Sequence, residues 1–228
     1  MADNIARVFA DAIAPDPARP LLTWYDDATG ERTEISGATA ANWVAKTANL
    51  LVDEAAVTHG DPVGVLCPPH WQTAAVLLGC WSAGTTVADT PGPVEVLFAA
   101  ADRITEADAW PAGERYALAL HPLGLPLRVV PNGFADYVNA VRVHGDHFGG
   151  APAGPQDVAL LTRATARVAQ LGIPSGGRVL IDTARHPDPV DWLLAPLVAG
   201  ASTVLCAHLD PQKLPARTHT EQVTHTLA

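Results

Sequence analysis

Two histidines and an aspartate follow short apolar strands, at places where open α/β sheets bind ligands. His186 and Asp188 come shortly after the run RVLID (178–182), and His70 follows the run VGVLC (63–67). Such sheets hold their ligands beyond the carboxyl ends of the strands, where an imidazole can donate or accept a hydrogen bond. These positions predict that His186, Asp188 and His70 line a ligand site. A capping or surface role is the alternative for the histidines.

A second polar group has the residue types of a metal site. His144, Asp146 and His147 resemble part of the HxHxDH metal-binding pattern, but Arg142 stands where its first histidine would be. No other ligand residues cluster nearby, and stable metal sites need three or four ligands. We therefore expect no metal, and a loop that makes local hydrogen bonds.

The patterns of several other chemistries are absent. The chain contains no GxSxG, GxxxxGK[ST] or GxGxxG, and residues 172–176 have one residue too many for the first of these, so hydrolase, P-loop and dinucleotide-binding functions lose their main support. Asp26 and Asp27 form a carboxylate pair beside Gly30, between two candidate strands. That setting favours a hairpin turn, and we assign no catalytic residue.

The order of elements predicts a sheet flanked by helices. Ser36 is a candidate N-cap for a helix with apolar residues every three or four positions, and Gly84, Gly172 and Gly200 are candidate helix terminators. The further predicted elements are a strand at 63–67, a helix at 71–83, a strand from 85, a helix at 165–171, a strand at 178–182, a helix at 189–199 and a strand at 202–206.

Equivalent residues recur at a spacing of 116 in these elements. Gly60 corresponds to Gly176, His70 to His186, and Gly84 to Gly200. A duplicated αβαβ unit explains this register, and chance similarity of two units of equal length is the alternative. We expect a first α/β unit at 1–110, a connecting segment at 111–156 and a second unit at 157–228.

Composition excludes several classes of partner. The net charge of -10, from 14 Lys and Arg against 24 Asp and Glu, excludes a phosphate-backbone footprint. The longest apolar stretch, 74–83, is far shorter than the roughly 20 residues of a membrane span. Cys67, Cys80 and Cys206 lie far apart, which favours free thiols in a reducing compartment. We expect a cytoplasmic protein without nucleic-acid or membrane partners.

Three segments resemble the N-terminal part of the adenylate-forming enzymes, the superfamily of acyl-CoA synthetases and nonribosomal adenylation domains. They are NWVAKTANLLVDE (42–54), HGDPVGVLCPPH (59–70) and AAVLLGCWSAGTTV (74–87). Residues 157–206 resemble a second block of that family. The resemblance implies an α/β fold of two quasi-equivalent doubly wound units, a strand at 158–161 that leads into the phosphate loop, and a place for His186 in the acyl pocket.

The departures from this family concern its catalytic parts. A Ser/Thr/Gly-rich loop with a trailing Lys would follow residue 161, but the chain has Thr162-Arg163-Ala164-Thr165 there. The chain also ends before the family's ribose-binding Asp, hinge and small C-terminal domain. We expect no acyl-adenylate formation by this chain alone, no ATP phosphate loop, and AMP or acyl-CoA as the remaining candidate ligands.

The leading hypothesis is a degenerate, non-catalytic acyl-CoA synthetase-like protein that retains a ligand pocket or a partner surface. One alternative is a split synthetase fragment that binds ATP or acyl-CoA together with a partner chain. Another is a scaffold without a small ligand. Apolar surface that the rest of the enzyme would cover must be made polar or be buried by another chain. We therefore expect a homodimer or a complex with a partner protein.

Overall fold

The computed structural model describes residues 3–228, so Met1 and Ala2 lie outside the described part of the predicted first unit. It contains two five-stranded sheets with helices between the strands, which confirms the predicted α/β class. The strands are β1 Pro20–Asp26, β2 Glu31–Ser36, β3 Pro62–Leu66, β4 Thr86–Ala88, β5 Val94–Ala100, β6 Ala112–Leu118, β7 Ala135–Asp136, β8 Arg178–Asp182, β9 Ser202–Ala207 and β10 His225–Leu227.

Within residues 3–228, seven α-helices accompany the sheets. They are α1 Ile5–Ile13, α2 Gly37–Asn49, α3 Trp71–Ser82, α4 Tyr137–Arg142, α5 Asp157–Leu171, α6 Ala195–Val198 and α7 Leu214–Thr220. A 3-10 helix spans Ala101–Ala109, and π-helical turns span Leu50–Glu54 and Val190–Leu194. No helix within residues 3–228 is long and apolar enough to cross a membrane.

The chain forms two compact units. The split unit contains residues 7–40 and 158–228, and the central unit contains residues 41–157 together with residues 4–6. This grouping differs from the predicted segments, because β1 pairs with β9 although some 180 residues separate them in the chain. Likewise β6, from the predicted connecting segment, pairs with β5. Pairing between distant strands depends on tertiary structure, which sequence neighbourhood does not reveal.

The central sheet is parallel throughout. Its strand order is β4-β3-β5-β6-β7. Val63, Val96 and Phe98 contribute fully buried side chains to its core, and every residue of α3 is buried. Strands of such sheets are apolar on both faces because helices cover them.

The sheet of the split unit has the order β10-β8-β9-β1-β2. Its first four strands are parallel, and β2 is antiparallel to β1. The hairpin of β1 and β2 carries this carboxylate pair, as predicted: Asp26 is the last residue of β1 and Asp27 begins the turn. Gly30 closes it with a φ of 79° and a hydrogen bond from its N–H to the Asp26 carbonyl (2.8 Å). An L-residue with a side chain rarely adopts that conformation.

Helix termini follow the local signals. The Ser36 hydroxyl accepts the N–H of Thr39 at 3.2 Å and caps α2. Gly84 and Gly200 follow α3 and α6 with φ values of 74° and 64°, the left-handed conformation that ends many helices.

The strand expected at 158–161 is wrong, because these residues form the first turns of α5. Leu161 and Ala164 are 3% and 0% exposed, whereas Val158 is 59% exposed. Buried residues that recur at a spacing of three or four form one face of a helix. A short apolar run by itself does not distinguish a helix from a strand. Residues 162–165 are therefore helical as well.

Backbone hydrogen bonds recur at the spacing of 116 residues. Thr86 N–H donates to the Asp61 carbonyl (2.9 Å), as Ser202 N–H does to that of Gly177 (3.0 Å). The bonds Thr85 to Cys80 (3.1 Å) and Ala201 to Pro196 (2.9 Å) form a second equivalent pair. Strands β3 and β8 also begin and end at equivalent positions.

Candidate functional site

The turn after β8 holds two of the three predicted ligand residues. Backbone N–H groups of Arg185 and His186 donate to the Asp182 carbonyl at 3.2 and 3.0 Å, and the Asp182 carboxylate accepts the N–H of Ala184 at 3.0 Å. These bonds close a tight turn at the carboxyl end of the strand. His186 and Asp188 thus lie at the sheet edge where ligands of such folds bind.

His186 lies beside a carboxylate that an arginine already binds. Its side chain is 20% exposed, and Nδ1 is 3.5 Å from Oδ2 of Asp191. Arg167 donates to both oxygens of Asp191 at 2.7 Å. These hydrogen bonds hold the pKa of Asp191 below its ordinary value. Of the two predicted histidines, His186 is thus the more accessible one, and the polar contact of its ring with Asp191 is long.

Asp188 is engaged by the protein itself. One carboxylate oxygen accepts the N–H of Val190 at 2.9 Å, and the other contacts the guanidinium of Arg163. Its backbone carbonyl accepts the N–H groups of Asp191 and Trp192 at 2.8 and 3.2 Å. Asp188 therefore starts the helical segment that begins at residue 190.

His70 caps α3 from the interior. It is 1% exposed, and its Nδ1 accepts the N–H of Gln72 at 3.1 Å. Burial lowers the pKa of His70 to about 3, because a buried imidazolium would lose its hydration. The ring is therefore neutral at physiological pH. The capping alternative describes His70, and its role toward a ligand stays a prediction.

The place expected for the phosphate loop does not fit the triphosphate of ATP. Residues 162–165 lie inside α5, so their amides bond along the helix and are unavailable to an anion. The first turn of α5 carries Asp157, whose buried carboxylate accepts the N–H of Ile5 at 2.9 Å. A carboxylate occupies the helix end that would otherwise favour phosphate. The stretch 144–156 before it has four glycines but no lysine.

The segment 144–147 is used as a loop support. His144 Nε2 lies 3.0 Å from a Glu54 carboxylate oxygen, and the carbonyl of His144 accepts from the Lys46 ammonium. Asn49 donates to the carbonyls of Gly145 and His147 at 2.9 and 3.0 Å. Within residues 3–228, no three His, Cys, Asp or Glu side chains converge as metal ligands would.

The sequence did not predict a polar cluster at the carboxyl end of β1. Asp27 accepts hydrogen bonds from Arg217 at 2.6 and 3.0 Å and pairs with Lys213 at 3.3 Å. The hydrogen bonds from Arg217 lower the pKa of Asp27 to about 2. The Arg217 guanidinium also stacks over the Tyr25 ring, 4.1 Å from its centroid. No sequence signal joins residues 27 and 217, because the fold alone brings them together.

The split unit contains an apolar groove of about 330 Å³ between α1, α5 and α6. Val8, Leu161 and Leu197 supply apolar walls, and Asp11 and Thr165 are its polar members. His186, Asp188 and His70 are not among its lining residues. The groove has room for a short apolar group, without a cation to bind a phosphate or carboxylate.

Solved structures with the same fold include an acyl-CoA synthetase and an anthranilate-CoA ligase. The chain is similar to an acyl-CoA synthetase from Brucella canis (TM-score 0.76, 16% identity, 98% of this chain and 46% of that chain). It is also similar to the anthranilate-CoA ligase AuaEII in complex with anthranoyl-AMP (TM-score 0.72, 13% identity, 98% and 49%). The chain spans about half the length of these enzymes, and the fold is that of their N-terminal subdomains.

The N-terminal domain of FACL13 from Mycobacterium tuberculosis has this fold too (TM-score 0.68, 12% identity, 99% and 62%). No protein-family model matches the sequence. A "TIGR03089 family protein" of Mycobacterium tuberculosis is 46% identical in an alignment 226 residues long, and the match covers 93% of this chain and 93% of that protein. The chain therefore belongs to the TIGR03089 family.

Proposed function

We propose that this chain is an acyl-CoA synthetase-like protein that does not form an acyl-adenylate by itself and uses the fold to bind a ligand or a partner. The observation that carries the proposal is α5. Residues 162–165, where the resemblance places the phosphate loop, lie within this helix, and Asp157 lies at its first turn. Catalysis of adenylate formation requires donors and cations around the phosphates. Residues 157–165 supply the Asp157 carboxylate and one cation, Arg163, which already contacts Asp188.

The predicted ligand residues support the same proposal. Asp188 is bound by Arg163, and His70 is a buried cap. The carboxylate beside His186, that of Asp191, is bound by Arg167. A catalytic group must reach the reacting atoms. Of the two predicted histidines only His186 is partly exposed, so the proposal keeps it as a ligand contact and assigns it no catalytic step.

Exchange of pyrophosphate into ATP tests the absence of adenylation. The purified chain is incubated with ATP, Mg²⁺ and a panel of aliphatic and aromatic carboxylic acids, with a full-length benzoate-CoA ligase as the positive control. We expect exchange equal to the protein-free blank. Acid-dependent exchange that is lost on mutation of His186→Ala would overturn the proposal and favour a synthetase fragment.

Thermal unfolding with AMP, ATP, acyl-CoA and a non-hydrolysable acyl-adenylate mimic tests ligand binding. A ligand at 100 times its dissociation constant stabilises the fold by about 2.7 kcal/mol, which is a shift of a few degrees for a chain of this size. A shift that His186→Ala abolishes, with the unliganded melting temperature unchanged, supports a ligand pocket. Absence of any shift favours the scaffold alternative.

We also infer that the two αβαβ segments arose by duplication and that the protein works in a reducing compartment such as the cytoplasm. Recurrent hydrogen bonds at a spacing of 116 residues support the first point. For the second, all three cysteines are free, and burial raises the pKa values of Cys67 and Cys80 to about 12. Such thiols are inert packing groups.

A further inference from the structure

The carboxyl edge of the central sheet brings together two surfaces of opposite character. Strands β5 and β6 are parallel neighbours whose last pair is Ala100 with Leu118. Both connections that leave them therefore start side by side. The first is the acidic helix, residues 101–109, and the second is the apolar loop, residues 121–131.

The apolar loop exposes four aliphatic side chains. Leu123 and Val129 are 73% and 82% exposed, and Leu125 and Val130 are 45% and 39% exposed. A cluster of this kind on a folded surface marks an interaction site, whereas single exposed aliphatics are ordinary.

Hydrogen bonds hold the apolar loop in place. The Pro122 carbonyl accepts Nε1–H of Trp71 at 3.1 Å, and the Gly124 carbonyl accepts a guanidinium N–H of Arg142 at 2.7 Å. The Leu127 N–H donates to the buried Asp136 carboxylate at 2.7 Å. Because its backbone is fixed before any contact, the loop loses little conformational entropy on docking.

The two surfaces are complementary in charge. Between residues 115 and 145 the chain has three arginines and a single acid, the buried Asp136, although the whole chain carries -10. The exposed Arg128 lies within the apolar loop. The acidic helix exposes Asp102, Glu106 and Asp108, and its one arginine, Arg103, is paired with Glu106 at 2.6 Å.

We propose that a second copy of this chain docks on this edge, with the apolar loop of each copy against the acidic helix of the other. A two-fold axis between the paired surfaces satisfies both contacts at once, since symmetric interfaces must be self-complementary. Loop-to-loop docking would oppose Arg128 to its own copy. An anionic membrane would repel a chain of this net charge, and the single arginine of the apolar loop is too few to compensate.

Sedimentation velocity over a range of micromolar concentrations tests the proposal. We expect a monomer–dimer equilibrium between 23.8 kDa and twice that mass, weakened by salt because Arg128 contributes. Mutation of Val129→Asp is expected to weaken dimerisation by about tenfold or more. Val158→Asp, a change at a similarly exposed valine in the split unit, is the matched control and leaves the dimer intact.

A charge exchange identifies the surface that faces the loop. Arg128→Glu is expected to weaken the dimer, and adding Asp102→Arg with Asp108→Arg to the same chain is expected to restore it. Circular dichroism and thermal unfolding confirm that each variant is folded. A monomer at every concentration, a dimer indifferent to Val129→Asp and Arg128→Glu, or open polymers would each overturn the proposal.

The proposed dimer names the partner in the proposed function, and it rests on that function only in so far as the chain binds a partner. Sedimentation is measured without nucleotide or acid. A monomeric chain without pyrophosphate exchange would overturn the dimer and leave the proposed function standing. A dimeric chain that catalyses pyrophosphate exchange would overturn the proposed function and leave the dimer standing.

Discussion

At the residue scale, polar side chains near the strand ends mostly serve the protein itself. Asp188 starts a helical segment, Asp191 binds Arg167, and His70 caps α3. Each is a residue type that also serves in ligand sites, so type and position alone do not separate the two uses. Burial and hydrogen-bond partners distinguish a structural role from a ligand contact, and His186 is partly exposed with only a long contact to Asp191.

The buried cap predicts a specific pH dependence. Since the pKa of His70 is lowered to about 3 in the fold and is about 6.5 in an unfolded chain, unfolding takes up a proton between these values. The free energy of unfolding is therefore independent of the His70 proton above pH 6.5, and it decreases as pH falls from 6.5 toward 3. His70→Asn keeps a capping side chain but does not titrate. Its stability difference from the wild type is expected to narrow by about 1.4 kcal/mol per pH unit below pH 6.5.

Urea unfolding at a series of pH values measures this difference. His219→Asn, at an exposed position on α7, is the control and is expected to run parallel to the wild type. A difference between wild type and His70→Asn that stays constant with pH would contradict the buried, neutral state of the ring.

At the element scale, glycine sets the shape of the segment that carries the apolar loop. Gly124 has a φ of 62°, and a Cβ placed there would lie 3.2 and 3.3 Å from the Trp71 and Trp43 rings. Those rings meet edge to face, with centroids 5.1 Å apart. The loop backbone therefore packs where a side chain would press on both tryptophans.

Two glycine substitutions separate backbone strain from crowding. Gly133 also has a positive φ, 78°, but a Cβ there has no neighbour within 4 Å. Gly133→Ala is expected to cost about 1 kcal/mol, from the left-handed conformation alone. Gly124→Ala is expected to cost about 1–3 kcal/mol more, because the added methyl group overpacks the contact with the tryptophan rings. Urea unfolding of both variants at one protein concentration measures this, and equal costs would contradict the close packing against the tryptophans.

At the scale of the whole molecule, ion pairs attach the C-terminal segment to the sheet of the split unit. Arg217 on α7 binds Asp27, and Glu221, just after α7, binds Arg178 of β8 at 2.5 Å and Arg32 of β2 at 3.0 Å. Glu221 and Asp27 have side chains only 5% and 4% exposed. Removing one partner of a buried ion pair strongly destabilises the fold, because the other charge is left buried without a partner.

Loss of the Asp27 charge is expected to weaken this attachment. The pKa of Asp27 is lowered from 3.8 to about 2 in the fold, which corresponds to about 2 kcal/mol of stability. This stability is present above pH 4 and is lost as pH falls toward 2. Asp27→Asn should therefore be less stable than the wild type by about 2 kcal/mol at pH 7, with a gap that shrinks in acid.

Urea unfolding and hydrogen exchange of α7 and β10 check this prediction. The matched control is Asp53→Asn, at an exposed aspartate, which should leave both measurements unchanged. Exchange in α7 that is as slow in Asp27→Asn as in the wild type would show that the C-terminal segment is attached by other contacts.

The local elements followed from the sequence because their causes are local. Ser36 caps α2, Gly84 and Gly200 end α3 and α6, and the run at 178–182 forms β8. A cap, a left-handed glycine and an apolar strand each depend on a few neighbouring residues. The α/β class and the resemblance to adenylate-forming enzymes rested on these signals, and both are confirmed.

Tertiary structure decided what the chain does with distant residues. The apolar run at 158–161 fits a strand or a helix, and the burial of Leu161 and Ala164 on one face of α5 decides for the helix. The pairing of β1 with β9 and the bond between Asp27 and Arg217 join residues more than 170 positions apart. Burial also distinguishes the capping His70 from the partly exposed His186. Burial and long-range pairing are properties of the packed chain, so only the folded molecule determines them.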